Sequence, residues 1–182
     1  MASACILPSA IPSKPESPKY MPPMKTTWVS PIGTLLIEGS QGALSGLHVT
    51  GHNDPLEDAD SHFFDYATVK AIDNTCRWLD AYFNHQPLPA PPPLHLTGTA
   101  FQLSVWRMLL DIPYGQTTTY GIIAKRLSPH SCARAVGQAV KANPIAIIIP
   151  CHRVLSAHGL GGYAYGLAAK RQLLACERTT GV

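Results

Sequence analysis

The 182-residue chain has 46% hydrophobic residues and 14% charged ones, the make-up of an ordinary globular protein of one domain or two small ones. No run approaches the ~18–20 apolar residues of a membrane span, which argues against a helical membrane protein. The net charge of +3 is unevenly divided: from Phe101 onward nine Lys/Arg stand against two acids, giving +7, while the residues before it carry −4. Such a split turns the second half toward a polyanion, nucleic acid first.

Met1 to Met24 holds six prolines among serines and lysines and reads as a disordered or extended tail over 1–24. Pro8 interrupts the opening M-A-S-A-C-I-L before a signal-peptide apolar region develops, so a cytoplasmic address is expected. Cys5, Cys76, Cys132, Cys151 and Cys176 are odd in number and scattered, the pattern of free thiols in a reducing compartment. From Thr26 to Val49, apolar β-formers broken at Pro31-Ile32-Gly33 and Ser40-Gln41-Gly42 predict three short antiparallel strands. Val69, Ile72, Cys76, Leu79 and Phe83 recur at helical spacing and predict an amphipathic helix to Phe83. Together these give a first domain over 25–85.

Gln86 to Thr97 is proline-stiffened and marks a linker over 86–97; a second domain follows over 98–182. Thr99 is placed to cap a helix with Phe101, Val105, Leu109 and Leu110 on its apolar face, stopping before Pro113. Pro113-Tyr114-Gly115 is a turn. T-T-T-Y-G-I-I-A-K-R-L, the turn Ser128-Pro129-His130 and S-C-A-R-A-V-G-Q-A-V-K then have the dimensions of a helix-turn-helix. The second of these helices is mostly small residues, with Arg134, Gln138 and Lys141 as its long polar side chains. The run I-A-I-I-I-P after Asn143-Pro144 predicts a short buried strand ending at Cys151, and Lys170 to Glu177 a last helix. The fold class is α+β.

The string Pro150-Cys151-His152-Arg153-Val154 holds the candidate chemistry. A nucleophilic cysteine needs thiolate character, hence a base or positive charge beside it. His152 and Arg153 are adjacent, and Asp111 or Glu177 could orient the histidine. On chemistry alone, an inert buried cysteine beside a surface histidine fits the string equally well.

The surrounding motifs extend further. Y-G-x-x-x-x-Y (Tyr114, Gly115, Tyr120), A-R-A-V-G (Ala133 to Gly137) and N-P-x-x-x-x-x-P-C-H-R-V (Asn143 to Val154) occur in order. G-x-x-G-Y-x-x-G-L (Gly159 to Leu167) and K-x-x-L-L-x-x-E (Lys170 to Glu177) complete the set. From Phe101 to Glu177 the chain resembles the methylated-DNA–protein-cysteine alkyltransferase family, and weaker S-P-I-G and A-Y-F matches reach into the first domain, which the resemblance makes ribonuclease-like.

This resemblance implies repair of O6-alkylguanine in double-stranded DNA by a single, irreversible alkyl transfer to Cys151, the flipped nucleotide being reached from the minor groove. His152 would draw off the thiol proton through a water, oriented by Glu177, and Asn143 would shape the backbone there. Tyr120 would crowd the target phosphate and help protonate the leaving guanine. Arg134 would hold the place of the flipped nucleotide, with Ala133, Gln138 and Lys141 on the same DNA-facing surface. Tyr163, Tyr165 and Val154 would border the substrate pocket, Tyr165 narrowing it against bulky adducts. No cofactor and no metal are expected: relatives with a structural zinc use two cysteines, and Ser40 stands where one of them would be. A monomer without membrane attachment is expected, cooperative binding along DNA and action on O4-alkylthymine being left open. Two other classes compete. A sensor that binds alkylguanine without repair would lack the motif cysteine that Cys151 supplies, and a thiol hydrolase would leave the basic helix pair unexplained.

Overall fold

The computed structural model describes residues 23–50, 65–128, 130 and 132–178. The expected tail therefore lies outside the described residues apart from its last two, of which Met24 opens the first strand. The architecture is α+β. An antiparallel sheet of β1 (Met24–Ser30), β2 (Gly33–Ser40) and β3 (Ala43–Val49), in that order, is followed by α1 (Tyr66–Phe83). Then come α2 (Ala100–Leu110), β4 (Thr118–Thr119), α3 (Tyr120–Leu127), α4 (Ala133–Lys141), one 3-10 turn (Cys151–Arg153), β5 (Val154–Leu155) and α5 (Gly166–Arg178). No helix among the described residues is long and apolar enough to cross a membrane.

The two hairpins form where turn chemistry dictates. Gln41 and Gly42 both take positive φ, 52° and 75°, the left-handed pair of a type I′ hairpin turn. On β2, Leu35 and Ile37 alternate inward and are fully buried, as period-2 patterning demands. Asp65 caps α1 by accepting from the Thr68 backbone N–H at 2.8 Å.

The buried face of α1 keeps four of the five predicted positions, Ile72 and Leu79 buried and Cys76 and Phe83 half-buried against the core, but it is centred to one side of them. Val69 is 41% exposed, while Thr68, Ala71, Thr75, Trp78 and Tyr82 are buried beside Ile72 and Leu79. The buried face thus extends past the predicted stripe on the side of Thr68, Thr75 and Tyr82. Close approach decides this: a Cβ at Gly39 would lie 3.0–3.1 Å from the Ile72 and Thr68 side chains, so these two side chains pack directly onto the bare backbone of β2. The Thr75 hydroxyl is satisfied by the Ala71 carbonyl at 2.8 Å, which removes the cost of burying it. α2 shows the same shift. Thr99 caps it as read, with Gln102 completing a capping box, but Trp106 is buried with Val105 and Leu109 while Phe101 and Leu110 stay partly exposed.

A larger departure concerns residues 145–149, predicted as a strand. The run instead folds back on itself, Ile149 N–H donating to the Ile145 carbonyl at 3.1 Å with Ile147 at φ 68°. Asn143 makes this possible. Its Nδ2 donates to the carbonyls of Ile145 (3.3 Å) and Ile149 (2.9 Å), and its Oδ1 accepts from Ile145 N–H (3.0 Å). One side chain thus supplies bonds that a neighbouring strand would have supplied, and apolar content alone does not distinguish the two solutions.

The free edge of β3 joins the halves. Leu47 donates to the Pro144 carbonyl at 2.9 Å and accepts from Ala146 at 2.8 Å; Leu44 likewise donates to Pro93 and accepts from His95, both at 2.8 Å. The proline-rich segment 86–97 therefore docks on this edge through Pro93 to His95, covering backbone groups an open edge would expose. One buried cluster runs from Leu35 and Ile37 through Leu47 and Ile145 to Val105, Val136 and Leu173. Leu47, with 0% exposure, sits at this seam. Leu47→Ala should cost about 2–5 kcal/mol, read by urea unfolding; a loss under about 1 kcal/mol would show that the seam carries little of the stability.

Candidate active site

Cys151 follows directly on the compact turn of residues 145–149, so the bonds that shape that turn also aim its sulfur. Asn143 Nδ2 lies 3.1 Å from Cys151 Sγ while holding the Ile145 and Ile149 carbonyls. Cys151 is 5% exposed and borders a cavity of about 400 Å³ together with Tyr120, Asn143, Lys141, Tyr163 and Tyr165. Burial pushes its thiol pKa up, and the Asn143 hydrogen bond only partly offsets that. At neutral pH the resting group is a thiol, which needs a base to become a nucleophile.

The base candidate lies in the next residue. His152 is fully buried, its Nε2 2.6 Å from Glu177 Oε1. Burial lowers its pKa, with Glu177 pulling the other way, so the ring is neutral near pH 7. A carboxylate on Nε2 fixes the proton there and leaves Nδ1 with a free lone pair; Nδ1 has no hydrogen-bond partner among the described residues.

Glu177 gathers the site from three directions. Burial would raise its pKa, but hydrogen bonds from His152 and Arg153 outweigh that and hold it at about 2. Arg153 forks onto the carboxylate, Nε to Oε2 at 2.8 Å and Nη2 to Oε1 at 2.9 Å, and spends Nη1 on the Ile112 carbonyl at 2.6 Å. The positive charge expected to favour the thiolate is therefore paired with Glu177. Gly115 N–H donates to Oε2 at 3.0 Å, where Gly115 takes φ 73°. The other acid weighed for this role, Asp111, stands exposed at the C-cap of α2.

Two contributors were not singled out in the sequence. Tyr82 of α1 donates to Glu177 Oε1 at 2.7 Å and lies 3.5 Å from His152 Nε2, bringing the sheet half into the site. Nothing local marks it, because its partners are seventy or more residues away. Lys170 is fully buried and its Nζ donates to the carbonyls of Val154 (2.7 Å), Leu160 (2.6 Å) and Gly162 (3.0 Å). Burial lowers it to about 8, and a charged Cys151 would raise it again. A signal did exist here: Lys170 and Glu177 share the buried stripe of α5 with Leu173 and Leu174, which is no place for an idle charge.

Tyr120 is half-buried, its hydroxyl 3.4 Å from the Gly162 carbonyl. It is kept protonated by burial and by the Cys151 sulfur nearby. Tyr163 and Tyr165 border the cavity in edge-to-face contact, centroids 5.5 Å apart. Val154, expected in the pocket, is not among the residues bordering it: it is fully buried in β5 opposite Thr118, a position taken because β4 pairs with it. Ala133, Arg134, Gln138 and Lys141 are all exposed on α4.

Fold and cavity define a class: an α+β protein presenting one thiol, backed by a histidine–carboxylate pair, to a cavity beside an exposed basic helix. A family model described as 6-O-methylguanine DNA methyltransferase, DNA binding domain, matches residues 100–179. The chain is 43% identical over 154 residues to the methylated-DNA–protein-cysteine methyltransferase of Methanosarcina acetivorans, spanning 81% of this chain and 94% of that one. It is 41% identical over 151 residues to the protein of the same name from Mycobacterium tuberculosis, spanning 82% and 89%. The crystal structure of the M. tuberculosis O6-methylguanine methyltransferase matches with TM-score 0.73 at 39% identity, over 88% of this chain and 95% of that one. That of the M. tuberculosis OGT in complex with DNA matches at 0.68 and 42%, over 85% and 92%. The chain belongs to the methylated-DNA–protein-cysteine methyltransferase family.

The Glu177 carboxyl predicts an acid dependence of stability. Its folded pKa is depressed, so its contribution is fully present above about 4.5 and drains as pH falls toward 2. Glu177→Gln should be less stable at pH 7, since Arg153 loses its counter-charge, and should lose less stability than the parent between those values. Parallel losses in urea titrations across that range would remove Glu177 from this role.

Proposed function

We propose that the protein repairs alkylated DNA by moving the alkyl group from guanine O6 to Cys151 Sγ, once per molecule. The observation that carries this reading is the buried Cys151 thiol on the cavity, held by Asn143 and followed by the His152–Glu177 pair. Neutral His152 takes the thiol proton through a water at Nδ1. The sulfur attacks the alkyl carbon; the S–C bond forms as the C–O6 bond breaks, and the electron pair passes into the guanine ring. The leaving guanine recovers a proton, which the Tyr120 hydroxyl helps to deliver. The thioether has no easy leaving group at neutral pH, so one molecule repairs one lesion.

An O6-alkyl group inside a stacked duplex is out of reach of a protein thiol, so the nucleotide must be extruded. We assign α3 and α4 as a helix-turn-helix that docks in the minor groove. The small Ala133 and Gly137 allow close approach, Arg134 fills the vacated stack, and Gln138 and Lys141 contact the strand. Domain limits follow the same logic, with the sheet and α1 over 25–85, the docked segment over 86–97 and the alkyl-transfer unit over 98–182. The protein acts as a monomer in the cytoplasm.

After mixing with duplex DNA containing O6-methylguanine, intact mass should show a gain of one methyl on the parent and none on Cys151→Ala, although that variant still binds the DNA. No gain on the parent would favour the sensor reading, and product beyond one equivalent would favour a hydrolase. Arg134→Ala should slow repair of duplex at least ten-fold, the weight of extruding a base unaided, yet leave reaction with free O6-alkylguanine base nearly unchanged. Equal losses in both assays would make Arg134 a residue of the fold and not of extrusion.

A further inference from the structure

We propose that His48, on the sheet, sets the size of alkyl group accepted at Cys151 by tethering Tyr165 at the cavity; this rests on the alkyl-transfer reading above. Tyr165 borders the cavity that holds Cys151, and its hydroxyl lies 3.2 Å from His48 Nδ1. The bond spans 117 residues and ties the loop after the active site to β3.

The tether has its own support. His48 Nε2 faces the Glu38 carboxylate at 3.7 Å, and Glu38 pairs in turn with Lys25 at 3.3 Å, so three adjacent strands contribute to one polar row. Gly46 leaves the room: a Cβ there would fall 2.5 Å from Glu38 Oε2 and 2.9 Å from His48 Nε2. A carboxylate facing Nε2 favours the proton on that nitrogen and leaves the Nδ1 lone pair to accept from the Tyr165 hydroxyl. Burial, then the neighbouring Cys151 sulfur, push the Tyr165 phenol up to about 12, so it keeps the proton it donates. The other face of the ring arrangement is closed by Tyr163, in edge-to-face contact.

A methyl group passes beside a ring held in this way. A benzyl group needs the space the phenol occupies, so reaction with it requires Tyr165 to swing out against the His48 bond. The sheet half thereby takes part in substrate choice without touching the substrate.

The test is the ratio of benzyl to methyl transfer, measured as Cys151 labelling from duplex DNA carrying either adduct. His48→Ala and Tyr165→Phe should each raise the ratio about ten-fold, the factor matching loss of one such hydrogen bond. The double variant should go no further, and Gly46→Ala should mimic His48→Ala. Tyr165→Gly should exceed both and be indifferent to His48→Ala. An unchanged ratio in His48→Ala, or an effect of that change persisting in the glycine background, overturns the tether. Iodoacetamide and its N-benzyl derivative, with peptide mapping at Cys151, read the same ratio without DNA. A shift there with no transfer from DNA would sink the repair reading and leave the tether standing. Transfer from DNA with no shift in either ratio would sink the tether alone.

Discussion

The carboxylate of Glu177 accepts from the His152 ring, both arms of the Arg153 fork, the Tyr82 hydroxyl and the Gly115 backbone. An ionised carboxyl taken out of water costs several kcal/mol unless its lone pairs are filled, and here donors from three separate parts of the chain fill them. The constraint runs both ways. α5, the 3-10 turn, α1 and the turn before β4 cannot shift independently without leaving a buried charge short of a partner. The tautomer of His152 is set by the same carboxylate.

A second constraint positions the sulfur. Asn143 holds the turn of residues 145–149 and touches Cys151 with the same amide group. Leu47 of β3 clamps the start of that turn through Pro144 and Ala146. The sheet is thus a template against which the reactive segment folds. Packing density makes such a template stiff, so the sulfur is held in one place against the cavity.

The electrostatics divide by depth. Arg153 and Lys170, the buried cations of the second half, are spent on Glu177 and on backbone carbonyls. Arg134 and Lys141 stand exposed on α4. The positive balance seen along the sequence therefore has an inner structural share and an outer share free to meet phosphate. A charge count cannot separate the two.

Much was legible in the linear chain. The hairpins, the Thr99 cap, the short helices and the Cys151-His152 string all depend on residues within about four positions of one another, where local propensity and hydrogen bonding dominate. What the sequence could not decide involved distant partners. The face α1 buries was settled by Gly39, some thirty residues before it. Residues 145–149 turn instead of extending because Asn143 and Leu47 meet there, and Val154 lies in the core because Thr118 pairs with it. Arg153, two residues after the cysteine, gives its charge to Glu177, and Tyr82 and His48 reach toward the site from the sheet half. Local chemistry by itself determined most of the elements and singled out Cys151 as the candidate thiol. Only the tertiary structure decided which charges are paired and which side chains surround the sulfur, because burial and long-range hydrogen bonds exist only once the halves have packed.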